Sequence, residues 1–171
     1  MDIPTLTTER LVLRAFRSED LDAHAAMNAD SKVMQFINEV QDRPAAFRSM
    51  CSYIGHWYLR GYGPWAVEER ATGAFIGRAG VMRWEPWNDV EVAYALVSSA
   101  WGKGYASEMA ARALRYAHEV VGARGVVSHI VAGNDASIRV AVRLGARYTG
   151  ETRARVKGMP VRVYLYPDPR G

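Results

Sequence analysis

Apolar residues change their spacing several times along the chain, and each change marks an element. In RLVLRAF, Leu11 and Leu13 alternate with Val12 and Arg14, which predicts a strand. SEDLDAHAAMNAD opens on Ser18, a good N-cap residue, and has acids in its first turn, which predicts a helix. A second helix is expected from about Pro44 to Leu59, with the proline in the first turn. GPWAVEER and AFIGRAGVMRW flank the short turn Ala71, Thr72, Gly73 and read as a β-hairpin. DVEVAYALV is a further strand. From about Gly104 to Val121 the spacing turns helical. Tyr105, Met109, Ala113, Tyr116, Ala117 and Val120 form a core stripe, with Glu108, Arg112, Arg115 and Glu119 facing water. GVVSHIVA is the next strand and DASIRVAVRLG the next helix. RYTGETRARV and VRVYLY close the chain as a hairpin around Lys157 to Pro160.

The resulting order is β-α-α-β-β-β-α-β-α-β-β. Strands joined by short turns are antiparallel, whereas those around Val92 and Val127 are joined by a full helix and must be parallel. The fold class is therefore α/β (α+β), a mixed, mostly antiparallel twisted sheet of about seven strands with helices on both faces. No repeat, low-complexity tract or Gly/Ser linker divides the sequence, so residues 1–171 are read as one domain.

One junction carries chemistry. In EVAYALVSSAWGKGYASEMA a strand hands over to a helix through two glycines one residue apart. Gly102 and Gly104 lack a Cβ, so they permit unusual dihedrals and close approach of a ligand. The helix that follows has N–H groups without intrahelical acceptors, and with its dipole these suit a phosphate. Lys103 adds a positive charge. The same pattern also fits a tight turn before a helix. A P-loop is excluded, because Gly, four residues, then Gly-Lys-Ser/Thr does not occur. GKGYAS approaches the dinucleotide fingerprint, but that motif opens a doubly wound sheet, and here at least three strands precede it.

Composition narrows the field less. The net charge of +4 and a pI of about 9.4 favour anionic partners. The cations are scattered, with no basic block longer than Arg153, Arg155 and Lys157, so nucleic acid is not the expected partner. The single cysteine, Cys51, excludes an internal disulfide and suits a reducing compartment. No apolar run reaches the roughly 18 residues of a membrane span, and MDIPTLTTER lacks the order of a secretory signal. A cytoplasmic protein with no membrane partner is expected. His24, His56, His118 and His129 show no metal-ligand spacing with one another or with Cys51, so no metal is expected.

The ordered set TERLVLR, GPWAVEE, FIGRAGV, EVAYAL, WGKGYASE and NDASIRVAVRLGA resembles the GNAT superfamily of acyl-CoA-dependent N-acyltransferases. Within it, the chain is similar to the branch of ribosomal-protein N-terminal (Rim-type) acetyltransferases. The resemblance covers nearly the whole sequence and implies acetyl-CoA as acetyl donor. The family's Q/R-x-x-G-x-G/A pattern falls on Trp101 to Ala106, so the amides of Gly102, Lys103, Gly104, Tyr105 and Ala106 would hold the pyrophosphate. It further implies that the pantetheine pairs with the backbone of Leu96 and Val97, between strands that splay apart. Asn134 would meet the pantetheine and Ser137 lie near the sulfur. Two positions depart from the branch: Ala93 stands where its Glu-x-Gly-Tyr has glycine, and Ala146 where its Leu-Gly-Phe has an aromatic. Both bear on the shape of the substrate pocket more than on the phosphate loop.

Acetyl transfer to an amine needs a base for the amine and a proton for the departing thiolate. Glu91, on the strand leading to the loop, is the candidate base, and it reads equally well as a solvated strand residue. Ser137 is the candidate hydrogen-bond donor to the thiolate, and reads also as a helix cap. Tyr94, Trp65 and His129 read as packing groups. Trp84 and Trp87 read as packing groups too and, beside Pro86 in a loop, equally as residues that could line an acceptor pocket. The function expected is acetyl-CoA-dependent acetylation of a primary amine, on a protein N-terminus or a small molecule, by direct transfer in a ternary complex. The rivals are a non-catalytic acyl-CoA sensor and a nucleic-acid-binding module. Aromatic strands near the C-terminus would permit a homodimer.

Overall fold

The sheet has eight strands: β1 (Leu6–Thr7), β2 (Leu11–Arg14), β3 (Pro64–Glu69), β4 (Phe75–Met82), β5 (Glu91–Leu96), β6 (Val127–Val131), β7 (Arg147–Val156) and β8 (Met159–Leu165). Their spatial order is β1-β2-β3-β4-β5-β6-β8-β7. Among the described residues five α-helices accompany them: α1 (Leu21–Ala29), α2 (Ser31–Met34), α3 (Arg43–Arg60), α4 (Tyr105–Glu119) and α5 (Asp135–Arg143). This computed structural model describes residues 2–85 and 87–171, without the side chains at 154–156. Pro86 of the tryptophan loop and the Arg155 side chain of the basic stretch therefore lie outside the described residues.

All neighbouring pairs are antiparallel except β5 and β6, which the helix α4 joins in parallel. The strand beyond the expected seven is β1, two residues that pair Leu6 with Leu13. It is too short for alternation to reveal.

Leu11, Leu13, Trp65, Val67, Val81 and Val92 are fully buried in the main core, together with Met109, Ala113 and Ala117 of α4. Each such Val or Leu contributes roughly 1.5–3 kcal/mol. Trp65 sets its ring edge-on to Trp57 and Tyr116, at 4.9 Å from each centroid. The stripe of α4 ends earlier than its sequence suggests. Val120 lies past the last helical turn and is 64% exposed. Glu108 does not face water either. Its carboxylate accepts from the Thr8 hydroxyl at 2.6 Å and the Arg10 N–H at 2.9 Å, pinning α4 to the turn before β2.

Phe16, Met50 and Ala66 form a separate small core, flanked by Leu21, Tyr53 and Phe75. A row of cross-strand neighbours runs Arg14, Ala66, Arg78, Ala95. Arg14 is buried because Asp20 takes two of its N–H groups at 2.7 Å each and Glu68 a third at 2.5 Å. Ser18 does not cap α1 as expected. Residues Ser18–Asp20 form a 3-10 turn in which the Asp20 carboxylate accepts the Arg17 N–H at 2.8 Å. The acid satisfies the chain and the arginine at once, which a serine hydroxyl cannot do.

His24 is completely buried on α1, edge-on to Phe16, Tyr53 and Phe75. Burial, with the nearby Arg78 charge, lowers its pKa from 6.5 to about 4. The unfolded chain takes up this proton near pH 6.5, whereas the folded protein resists it until about 4. The unfolded state therefore holds more protons between those values, and stability falls as pH drops through them. The full loss attributable to His24 is roughly 3 kcal/mol. His56, also lowered by burial, acts in the same direction. Urea unfolding at about pH 7 and about pH 4.5 should show this decline, and His24→Phe should flatten it. An unchanged slope in that variant would assign the decline to other groups.

Candidate active site

The site begins where two strands fail to stay paired. β5 and β6 are in register only at Glu91 and Val127, where the Val127 N–H meets the Val90 carbonyl at 2.9 Å. A parallel ladder would next give the His129 N–H to the Val92 carbonyl. Side chains intervene instead. The Ser128 hydroxyl donates to the Val92 carbonyl at 2.5 Å, and the His129 N–H donates to Glu91 Oε1 at 3.3 Å. Backbone groups that would otherwise be buried unpaired are thus satisfied, and the strands part. Across the gap, the Tyr94 hydroxyl donates to the Ser137 carbonyl at 3.3 Å.

On one side of the gap lies a cleft of about 470 Å³. It is lined by Leu96, Trp101, Gly102, Gly104, Tyr105, Ala106, Asn134 and Ser137. Gly102 and Gly104 have φ of +77° and +82°, in the left-handed region that only glycine enters cheaply. A Cβ at Gly102 would meet nothing within 4 Å, and one at Gly104 only Arg10 at 3.4 Å. The glycines are needed for backbone direction, which aims the first N–H groups of α4 outward. Helices α3 and α5 receive side-chain caps from Asp42 and Asn134, whereas Gly104 gives α4 none. An uncapped N-terminus opening on a cleft suits an anion. Lys32, Arg139 and Arg143 line the same cleft, which has no carboxylate among the described residues.

Two of the anticipated contacts are placed differently. Val97 does not line the cleft. Its N–H is given to the Ile76 carbonyl at 2.9 Å, and its own carbonyl accepts the Ala100 N–H at 3.0 Å. Leu96 does face the gap, but Trp101 Nε1 already donates to its carbonyl at 3.1 Å. The Lys103 side chain is exposed and also outside the lining, while its carbonyl accepts from Arg10 Nη1 at 2.9 Å. Arg10 thereby braces the loop from outside, with Nε on Glu108 at 2.8 Å and its guanidinium 4.6 Å above the Tyr105 ring. The Tyr105 hydroxyl in turn donates to Glu69. Arg10, within TERLVLR, carries no local sign of this role, because its partners Lys103 and Glu108 lie more than ninety residues away.

A second cleft, of about 390 Å³, opens on the other side. Glu91, Ala93, His129, Arg78, Trp84 and Trp87 are among its lining residues, as the tryptophan loop led one to expect. Phe36, Ile37, Tyr94, Asn134 and Ser137 line both clefts, so the two meet at the gap. His129 is more than a packing group. Its Nε2 lies 3.2 Å from Asp89 and its Nδ1 3.2 Å from Glu91 Oε2, the latter too poorly aligned for a hydrogen bond. Trp87 covers the imidazole at 4.3 Å between centroids, and Arg153 pairs with Asp89 behind it. Tyr94 is half-buried and reaches both clefts, and burial raises its phenol pKa, so it stays protonated. Among the described residues no group of three or more His, Cys, Asp or Glu is placed to hold a metal ion. No helix among the described residues is long and apolar enough to cross a membrane.

Ser137 does not cap α5. The cap is Asn134, whose Oδ1 accepts the Ser137 N–H at 3.2 Å, and Ser137 is the third residue of the helix. Its hydroxyl makes no hydrogen bond to a described residue, at the point where the clefts join.

Residues 10–147 match the family model described as an acetyltransferase (GNAT) domain. The protein YkkB of Bacillus subtilis (strain 168) is 30% identical over 167 residues, covering 93% of each chain. An acetyltransferase structure from Agrobacterium tumefaciens str. C58 superposes with a TM-score of 0.85 at 27% identity, over 98% of this chain and 96% of that one. The RimL ribosomal L7/L12 alpha-N-protein acetyltransferase, solved with coenzyme A, shares the fold with a TM-score of 0.79 at 19% identity, over 95% and 97%.

The capping assignment has a direct consequence for stability. Asn134→Ala should cost about 1 kcal/mol, whereas Ser137→Ala should leave the melting temperature nearly unchanged. Chemical denaturation of both variants measures this, and the reverse ranking would return the cap to the serine.

Proposed function

Because the chain belongs to the GNAT acetyltransferase family, we propose that residues 1–171 form one N-acetyltransferase domain that moves the acetyl group of acetyl-CoA to a primary amine, on a protein N-terminus or a small molecule, by direct transfer in a ternary complex. One observation carries the reading: an anion-suited cleft and a carboxylate-bearing cleft meet at Tyr94, Asn134 and Ser137. Two reactants entering from opposite sides would be held together there, a proximity worth roughly 7–11 kcal/mol.

In this scheme the uncapped amides of α4 and the cations of the first cleft hold the phosphates of acetyl-CoA. Glu91 accepts a proton from the ammonium, directly or through water. The freed amine attacks the thioester carbonyl, a C–N bond forms, and the C–S bond breaks as thiolate leaves. The surplus proton on the new amide nitrogen passes through water to that thiolate, leaving the amide and the CoA thiol. The Ser137 hydroxyl donates a hydrogen bond to that thiolate. A sensor that only bound acyl-CoA would need the first cleft alone, so the second, with its carboxylate, favours an enzyme.

Coenzyme A should raise the melting temperature, since a ligand that binds only the folded state stabilises it. No shift at about millimolar CoA would overturn the reading. Gly104→Val should abolish that shift while the protein stays folded, because a β-branched residue resists the left-handed conformation and would redirect the amides.

Glu91 offers a sharper test because its carboxylate has two tasks. Glu91→Gln keeps an oxygen for the His129 N–H but loses the base. It should lower turnover on an amine panel, followed by CoA release, at unchanged CoA affinity. Glu91→Ala should lose stability as well. Full activity in Glu91→Gln would leave the residue as a strand wedge only.

A further inference from the structure

The sheet buries two arginines in the same cross-strand row, and their environments are opposite. Arg14 is 6% exposed and Arg78 7% exposed, with Ala66 between them in register. Arg14 is answered by Asp20 and Glu68. Arg78 makes no hydrogen bond or ion pair with any described residue. Its Nε is buried without a partner, and its Cζ lies 5.1 Å from the centroid of the Tyr53 ring. A buried guanidinium without a counter-ion is strongly unfavourable. The fold keeps it, and it lines the acceptor cleft.

Four residues that line that cleft, Arg78, Met82, Glu91 and Ala93, stand on β4 and β5 and add direction. On β4 and β5 the facing pairs are Arg78 with Ala95, Gly80 with Ala93, and Met82 with Glu91. A cation and a carboxylate therefore stand at opposite ends of a strip whose middle pair is small. They are four residues apart along the strand, about 13 Å before the reach of either side chain is subtracted. We infer that the acceptor is an amine that carries its own carboxylate, bound with the carboxylate on Arg78 and the amine towards Glu91. This deepens the acetyltransferase reading and rests on it. Arg78 supplies the planar fork that a carboxylate accepts in two hydrogen bonds. Tyr53, Phe36 and Trp84 wall the cleft and would enclose the apolar body of such a molecule.

The test uses matched acceptors: phenylalanine against phenethylamine, lysine against 1,5-diaminopentane, and peptides beginning Ser-Glu against Ser-Gln. In at least one pair the carboxylate-bearing member should have a kcat/KM about 10- to 100-fold higher. Arg78→Met should erase that preference, and Arg78→Lys should retain part of it, while the thermal shift with CoA stays as in the unaltered protein. The first two pairs and the third separate a free amino acid from an acidic N-terminal segment as the source of the carboxylate. Equal rates within every pair, or a preference that survives in Arg78→Met, would overturn the inference and leave the acetyltransferase reading standing. Should no amine be acetylated, titration of the CoA-saturated protein with N-acetylphenylalanine, N-acetyllysine and their amides still decides it. Binding that needs both the carboxylate and Arg78 supports the inference, and its absence refutes it. Arg78→Met should also melt no lower than the unaltered protein, because it removes an unanswered charge. A marked fall would mean that the charge is answered within the fold, against the proposal.

Discussion

Everything at the site follows from the interrupted pairing of β5 and β6. A continuous parallel ladder would close the sheet and leave no passage between its faces. Here the ladder stops after Glu91 and Val127, because Ser128 and Glu91 supply side-chain oxygens to partners the backbone would otherwise have used. The gap costs little in unsatisfied polar groups and opens beneath α5 and the α2 segment. The glycine loop, the cap at Asn134 and the tryptophan loop matter because each borders this opening.

Arrangement of charge then separates the two sides. The cleft beneath α4 has Lys32, Arg139, Arg143 and uncapped helix amides, which accounts for part of the chain's positive excess in terms of a small anionic ligand. The cleft beyond the gap mixes signs, with Glu91 and His129 at one end and Arg78 at the other. A polyanion such as nucleic acid finds no continuous basic face among these residues. A phosphate-bearing donor and an acceptor with both charges are the better complements.

Much of this was legible in the sequence, and for identifiable reasons. Strand alternation and the period of α4 located the main elements, since apolar faces must be buried wherever the chain runs. Gly102 and Gly104 announced the loop because few other residues tolerate positive φ. What escaped depended on partners distant in sequence. Val97 looked available until Ile76 and Ala100 took its backbone groups, and Glu108 looked solvated until Thr8 and Arg10 claimed it. Ser137 and Asn134 are both good capping residues, and only the helix start distinguishes them. Arg78 did leave a signal, as the one charge in the apolar strand FIGRAGVM, but alternation alone cannot tell a paired arginine from an unpaired one.

Glu91 joins the fold to the proposed chemistry in a way that constrains both. Its Oε1 holds the His129 N–H and so helps to keep the strands apart, while the same carboxylate faces the acceptor cleft. A carboxylate has about four lone-pair sites, so one backbone hydrogen bond leaves capacity for a water or an ammonium. In the proposed scheme that division bears on where the acceptor amine sits. The amine approaches a lone pair of Glu91 that His129 does not take, within the second cleft, whose lining also includes Tyr94 and Ser137. Under that scheme the carboxylate that helps to hold the strands apart would also orient the acceptor, and a residue that wedged the strands without a free acceptor oxygen would open the gap without supplying a base.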